Sequence, residues 1–293
     1  MSAAPFADRL AALSEERRSQ LCLGLDPDPS ALPDHAAGSG GAGERAAAAV
    51  AEHCRSLIAE AGPACVAVKP QLACFERLGA PGWAALAEVC EAARAAGLLV
   101  VADGKRGDVP VTSAAYGQAL VGEVETPWGP VGGLGADAFT ANPLLGGDAL
   151  EPLVEAASAA GAGLFCLVRT SNPGAADIQD QLVGERPLHE LLAGIVAERA
   201  PRLAGGSGLS GMGAVVGATA PEHLGRMRGL MPDSVFLIPG VGAQGGRPED
   251  LGPAIAPGRP ASILVAAARS IAGADDPGAA AEELRASLWE LGG

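Results

Sequence analysis

Short, nearly unbroken apolar runs punctuated by Gly, Pro or Asp recur along the chain. They are Leu21–Leu25, Ala64–Val68, Leu98–Ala102, Asp137–Thr140, Gly163–Val168, Gly213–Val216, Val235–Pro239 and Ser262–Ala266. A strand with one wet face alternates apolar and polar residues. These runs do not, so they read as parallel strands buried on both faces. Between them lie segments with apolar residues at helical spacing, among them Glu44–Ala61, Trp83–Ala96, Ala149–Ala160, Pro187–Arg199, Pro221–Gly229 and Pro277–Leu291. Ala7–Arg18 is an amphipathic helix ahead of the first strand, suited to packing across the closed end of a barrel. Eight strands alternating with helices over 293 residues predict a single α/β domain, a (β/α)8 barrel spanning 1–293, with an open doubly wound sheet as the fallback. The Gly/Pro-rich stretches His35–Gly43 and Val124–Gly135 read as loop insertions, and Gly205–Gly213 as a flexible stretch.

Barrel enzymes carry their chemistry at the C-terminal ends of the strands. Those ends hold, in order, Asp26, Lys69, Asp103 with Lys105 and Asp108, Asn142, Thr170 with Ser171, Thr219, the run Gly240–Gly246, and Arg269. Polar groups are otherwise sparse, so their convergence on one rim marks the candidate site.

Composition sharpens this picture. The chain has 48% hydrophobic but only 3% aromatic residues, so its core is built from Ala, Val, Leu and Ile. A net charge of −14 argues against nucleic acid or an anionic membrane as partner, while a local cation cluster could still hold a small anion. Of 20 basic residues only Lys69 and Lys105 are lysines. Where arginine replaces lysine almost throughout, the lysines that persist mark places where a compact, pKa-shiftable ammonium is needed. The six cysteines, Cys22, Cys54, Cys65, Cys74, Cys90 and Cys166, form no CxxC pair, and most sit in apolar runs as small hydrophobes. With no signal-peptide core and no apolar run of about 18 residues, a reducing, cytoplasmic setting is expected.

The segment Asp103-Gly104-Lys105-Arg106-Gly107-Asp108 begins where an apolar strand stops. Asp103 and Lys105 are two apart, so in extended chain both side chains point over the barrel mouth. A lysine flanked by carboxylates keeps its ammonium form and suits proton delivery to a carbanion-like centre. Pro239–Gly246 offers backbone N–H groups with little side-chain bulk, and Arg269 opens the next helix; together they read as a phosphate cradle. The four histidines, His35, His53, His189 and His223, show no metal-binding or hydrolase spacing, and no motif requires a metal.

Taken together, these motifs resemble the orotidine 5′-phosphate decarboxylase family, in its longer bacterial branch. The resemblance rests on DGKRGDV with Pro110 and Thr112, on Gly-Leu-Asp26-Pro, Val-Lys69-Pro and Thr170-Ser171-Asn172-Pro173-Gly174, and on Pro-Gly-Val-Gly-Ala-Gln244-Gly-Gly and Arg269-Ser-Ile. It implies a carboxy-lyase that makes uridine 5′-phosphate in pyrimidine synthesis without metal or organic cofactor. Carried over by motif, Lys105 protonates carbon 6 of the pyrimidine and Asp103 faces the substrate carboxylate. Lys69 and Asp108 complete a Lys-Asp-Lys-Asp array. Asp26 and Lys69 contact the ribose, Ser171 the base, and Gln244, Gly246 and Arg269 the phosphate. Asp108 and Thr112 reach into the partner subunit's site, so a homodimer follows. The alternative is a phosphosugar decarboxylase or synthase of the same superfamily. Those enzymes need magnesium on acidic strand ends, and Lys69 stands where such a ligand is expected.

Overall fold

A computed structural model describes residues 4–32 and 40–292. His35 and most of the 35–43 insertion lie outside the described residues. Eight parallel strands close into a barrel. They are β1 (Leu21–Leu25), β2 (Ala67–Pro70), β3 (Leu99–Arg106), β4 (Ala138–Ala141), β5 (Gly163–Arg169), β6 (Ser210–Val216), β7 (Ser234–Pro239) and β8 (Ile263–Ala267). Each pairs with the next, and β8 closes onto β1 through Leu21–Val265 and Cys22–Ala266. The near-continuous apolar runs are the reason. Outward side chains pack under helices, inward ones fill the lumen, and neither face sees water.

The helices are α1 (Phe6–Arg17), α2 (Ala42–Ala61), α3 (Leu72–Glu76), α4 (Ala80–Ala95), α5 (Pro110–Leu120), α6 (Gly147–Ala160), α7 (Leu188–Arg199), α8 (Leu224–Leu230), α9 (Arg269–Ala272) and α10 (Pro277–Gly292). The helix α5 is not among those the spacing marks. It opens on Pro-Val-Thr-Ser, residues of poor helix propensity, and buries only Ser113, Gly117 and Leu120. What holds it is contact: a Cβ at Gly117 would stand 2.6 Å from Ala156 of α6, so the two helices touch almost backbone to backbone.

The lumen is filled in layers. Cys22, Ala67, Val101, Ala138, Phe165, Val215, Leu237 and Leu264 belong to one buried cluster. Helix α1 plugs its lower end, as its amphipathic spacing implies. Phe6 meets Phe165 edge to face at 5.8 Å, and Arg9 pairs with Asp137. The stretch 205–213 is not the flexible segment its glycines suggest. Asp8 of α1 accepts hydrogen bonds from the amides of Gly206 (2.9 Å) and Ser207 (2.8 Å), and Ser210 onward belongs to β6. The 124–135 insertion likewise contains a short antiparallel ladder pairing 123–124 with 131–132.

Candidate active site

Inward positions alternate along a strand, so the layer above Ala67, Val101 and Ala138 is Lys69, Asp103 and Thr140. The apolar lumen therefore ends in a polar roof. Lys69 is 7% exposed and Asp103 5%, an ion pair removed from water at the barrel mouth. Four donors converge on the Asp103 carboxylate. Its Oδ2 accepts Lys69 Nζ at 2.7 Å and Gln71 Nε2 at 3.1 Å. Its Oδ1 accepts Lys105 Nζ at 2.7 Å and the Thr140 hydroxyl at 2.8 Å. Asp26, at the end of β1, stands 3.9 Å from Lys69.

The electrostatics follow from this packing. Burial alone would raise the Asp103 carboxyl, but the ammoniums of Lys69 and Lys105 outweigh it and hold the group far below the usual carboxylate range. For Lys69 burial works toward neutrality, and the carboxylates of Asp103 and Asp26 overcome it and raise the group above an ordinary lysine. Cys22, beneath this layer, is pushed up to about 12 by burial and behaves as an inert hydrophobe.

Asp103 and Lys105 meet, but not through an extended strand. Lys105 has φ +48°, a left-handed conformation, and the β3–β4 register shifts between Ala102 and Arg106. Such a backbone costs a non-glycine residue on the order of 1–3 kcal/mol and persists only where surroundings impose it. Here the Lys105 amide donates to Thr140 Oγ1 at 2.9 Å, and the side chain folds back onto Asp103. Gln71 and Thr140 both grip Asp103, and the apolar patterning marks neither. Gln71 lies just past β2, and Thr140 is one polar residue in an otherwise apolar strand.

Adjoining this cluster at the mouth, Asp26, Lys69, Gln244 and Arg269 line a cleft of about 100 Å³. The loop after β7 turns through Gly240 (φ +105°), Gly242 (φ +75°) and Gly245 (φ +92°), conformations open to glycine. Arg269 is exposed and forms no ion pair among the described residues. Helix α9 is a single turn, so an anion there would rely on the guanidinium and loop amides more than on a helix dipole. Ser171 neighbours Gly240, since a Cβ on Gly240 would stand 3.2 Å from Ser171 Cβ and 3.6 Å from Gln244 Oε1.

Two sequence-marked residues stay apart from this cluster. Asp108 forms no ion pair with Lys69 or Lys105 of its own chain; its Oδ1 accepts the Val109 amide at 2.7 Å. Thr112 lies in the first turn of α5. The segment after β5 is cross-tied. Arg169 holds Asp180 through two hydrogen bonds of 2.8 and 2.9 Å, and buried His189 lies 3.1 Å from the same carboxylate. The His223 ring lies against that of His189, 4.8 Å between centroids, so both histidines pack against this loop. Among the described residues, no three His, Cys, Asp or Glu are grouped to hold a metal ion.

Comparison with known proteins is consistent with this geometry. Residues 19–284 match the model of the orotidine 5′-phosphate decarboxylase / HUMPS family. The orotidine 5′-phosphate decarboxylase of Deinococcus radiodurans is 40% identical over 295 residues, covering 98% of this chain and 97% of that protein. That of Rhodopirellula baltica is 41% identical over 251 residues, 84% of this chain and 81% of that one. Among solved structures, the OMP decarboxylase of Leishmania donovani superposes with a TM-score of 0.75 at 36% identity, covering 98% of both chains. The chain belongs to the orotidine 5′-phosphate decarboxylase family, and its reaction is the conversion of orotidine 5′-phosphate to uridine 5′-phosphate.

Proposed function

We propose that Lys105 is the proton donor of this decarboxylation, the last step of de novo pyrimidine nucleotide synthesis. The single observation that carries the reading is the Lys69–Asp103–Lys105 chain of contacts at the barrel mouth, held by bonds of 2.7 Å. Breaking the bond from carbon 6 to the carboxylate releases carbon dioxide and leaves the electron pair on carbon 6. Water stabilises such a carbanion poorly. An ammonium fixed beside the developing charge favours the transition state over the ground state, and then transfers its proton to the same carbon. Asp103 sets where that ammonium sits, and in this reading it lies against the substrate carboxylate.

The remaining roles are those the family's motifs imply for these positions. Asp26 and Lys69 face the ribose, Ser171 the base, and Gln244, Gly246 and Arg269 the phosphate. Phosphate binding away from carbon 6 then supplies energy for loop closure over the site, with 171–186 and 240–248 as the moving segments. The cross-ties at Arg169, Asp180 and His189 leave the 182–187 hairpin as the freer part of the first.

Asp108 and Thr112 act across a homodimer interface in this reading. Asp108 takes neither lysine of its own chain as partner, and apolar Val109, Val111, Leu144 and Leu145 stand exposed on the same rim, Val111 at 85%. An exposed apolar patch beside a catalytic motif fits a subunit contact. No described helix is long and apolar enough to cross a membrane. A cytoplasmic setting agrees with six free cysteines, five of them buried.

The test is turnover of orotidine 5′-phosphate, followed by its absorbance in the presence of a chelator. We expect the wild-type rate to survive chelation. Lys105→Arg keeps a charge but presents a planar, strongly basic guanidinium, and should lower kcat by about 10³-fold or more with the fold intact by circular dichroism. Substantial turnover in that variant would rule out the proton-donor role.

A further inference from the structure

We infer that Thr140 is a positioning residue for this reaction, its one hydroxyl fixing both the carboxylate of Asp103 and the backbone of Lys105. The inference rests on the reading of Lys105 and Asp103 as the reacting pair and extends it to a strand that neither belongs to.

Thr140 lies on β4, points into the lumen and is 1% exposed. A hydroxyl has one hydrogen to give and lone pairs to receive. Here the hydrogen goes to Asp103 Oδ1 at 2.8 Å, and the oxygen receives the Lys105 amide at 2.9 Å. Both bonds bear on the same geometry. The register shift between Ala102 and Arg106 takes Lys105 out of the regular β3–β4 ladder, so its amide needs another acceptor. Thr140 Oγ1 supplies one, and thereby holds the left-handed turn that sends the Lys105 side chain back over Asp103.

The second bond fixes the atom on which the ammonium rests. Asp103 Oδ1 receives Lys105 Nζ and the Thr140 hydroxyl, while Oδ2 receives Lys69 and Gln71. The terminal torsion of an aspartate is broad, so a carboxylate stays in one orientation only when both oxygens are held. Without the hydroxyl, Oδ1 loses its one uncharged anchor and moves with the half-exposed lysine. Threonine suits the place because its branched Cβ stiffens χ1 and aims the hydroxyl. Gly104 completes the arrangement. A Cβ there would come within 2.8 Å of Leu72 Cδ1, so the chain passes close under α3 before turning.

A residue that only supported the fold would lower stability and substrate affinity together with the rate. A positioning residue lowers kcat while the phosphate and ribose contacts, on other strands, keep KM. The experiment compares Thr140→Val, nearly the same shape without the hydroxyl, with Thr140→Ala and with Thr140→Ser, which restores the hydroxyl. For each variant, kcat and KM for orotidine 5′-phosphate and the dissociation constant of uridine 5′-phosphate are measured. Misplacing a reacting group by about 1 Å costs on the order of 10²-fold, so Val and Ala should lose roughly 10- to 100-fold in kcat. Their KM and product affinity should stay within about threefold of wild type, and Ser should keep kcat within the same margin.

A wild-type kcat in Val or Ala overturns the inference, as does a Ser variant as slow as Val. If Val does not fold, Ala against Ser decides the same question. The Lys105→Arg variant run alongside separates the two readings. Substantial turnover there counts against the proton-donor reading, and a full rate in Thr140→Val beside a slow Lys105→Arg counts against Thr140 alone.

Discussion

At φ +48°, Lys105 occupies a backbone region that a side chain enters only under constraint, and the constraint lies at the proposed reacting centre. The protein's cations divide the same way. Where a long cation is structural, it is arginine. Arg228 donates to the carbonyls of Ala254, Met231, Ser234 and Ser262, and Arg169 forks onto Asp180. Both lysines instead converge on one carboxylate. That convergence carries a pH signature. The Asp103 carboxyl is depressed in the folded chain, while an unfolded aspartate titrates near 3.9. Between those values the unfolded state binds the extra proton, so Asp103 contributes its full stability above about pH 4 and loses it as acid approaches the folded value. Urea unfolding of wild type and Asp103→Asn at pH 7, 4 and 3 should show the stability gap narrowing as pH falls; a constant gap would refute the coupling. The two lysines were legible from composition alone. The left-handed turn and the grip of Thr140 were not, because they depend on a register shift between β3 and β4 that residue identity does not encode, and the grip of Gln71 depends on the strand pairing that sets it beside Asp103.

Register also explains what was legible among the elements. All eight apolar runs overlap a barrel strand, because burial on both faces leaves a compositional mark. Their ends were misplaced where chemistry begins. β3 runs on to Arg106 and β2 to Pro70, past the apolar residues, because ladder partners persist beyond hydrophobicity. Helix α5 left no periodic signal because contact with α6, not an amphipathic stripe, holds it. The loop after β7 was legible through its glycines, and Gly246 tests its role. Its amide donates to the Gly240 carbonyl at 3.0 Å, and an added Cβ would stand 2.6 Å from Ala218 Cβ and 2.7 Å from that carbonyl. Gly246→Ala must therefore push the loop outward, toward where Gln244 and Arg269 would meet the phosphate. Loss of one well-made charged contact is worth roughly tenfold or more, so KM should rise by at least about that factor. The chemical step lies elsewhere at the mouth and should be less affected. Steady-state kinetics decide it, and an unchanged KM would detach this loop from phosphate binding.

The whole molecule carries −14, and its substrate is an anion, so productive encounter depends on local cations at the mouth overcoming the global field. In the proposed dimer the same mouth is where two copies meet. That arrangement has a consequence that no single-chain variant can mimic. A two-fold axis makes each interface contact reciprocal, so every site takes Lys105 from one chain and Asp108 from the other. Lys105→Ala and Asp108→Ala homodimers then each carry two damaged sites. In a mixed dimer both lesions fall in one site, and the other site has a wild-type Lys105 and a wild-type Asp108. If equal amounts exchange subunits at random, half the dimers are mixed and half their sites are intact, giving about a quarter of wild-type activity. Mixing the two inactive variants should therefore restore activity over the time of subunit exchange, toward that fraction. Sites confined to one chain would give no recovery at any ratio, because every chain would still carry its own lesion. Adding Val111→Glu to both variants places a charge in the apolar rim, and should abolish the recovery and leave monomers by sedimentation. Recovery that survived this change would move the interface elsewhere on the barrel.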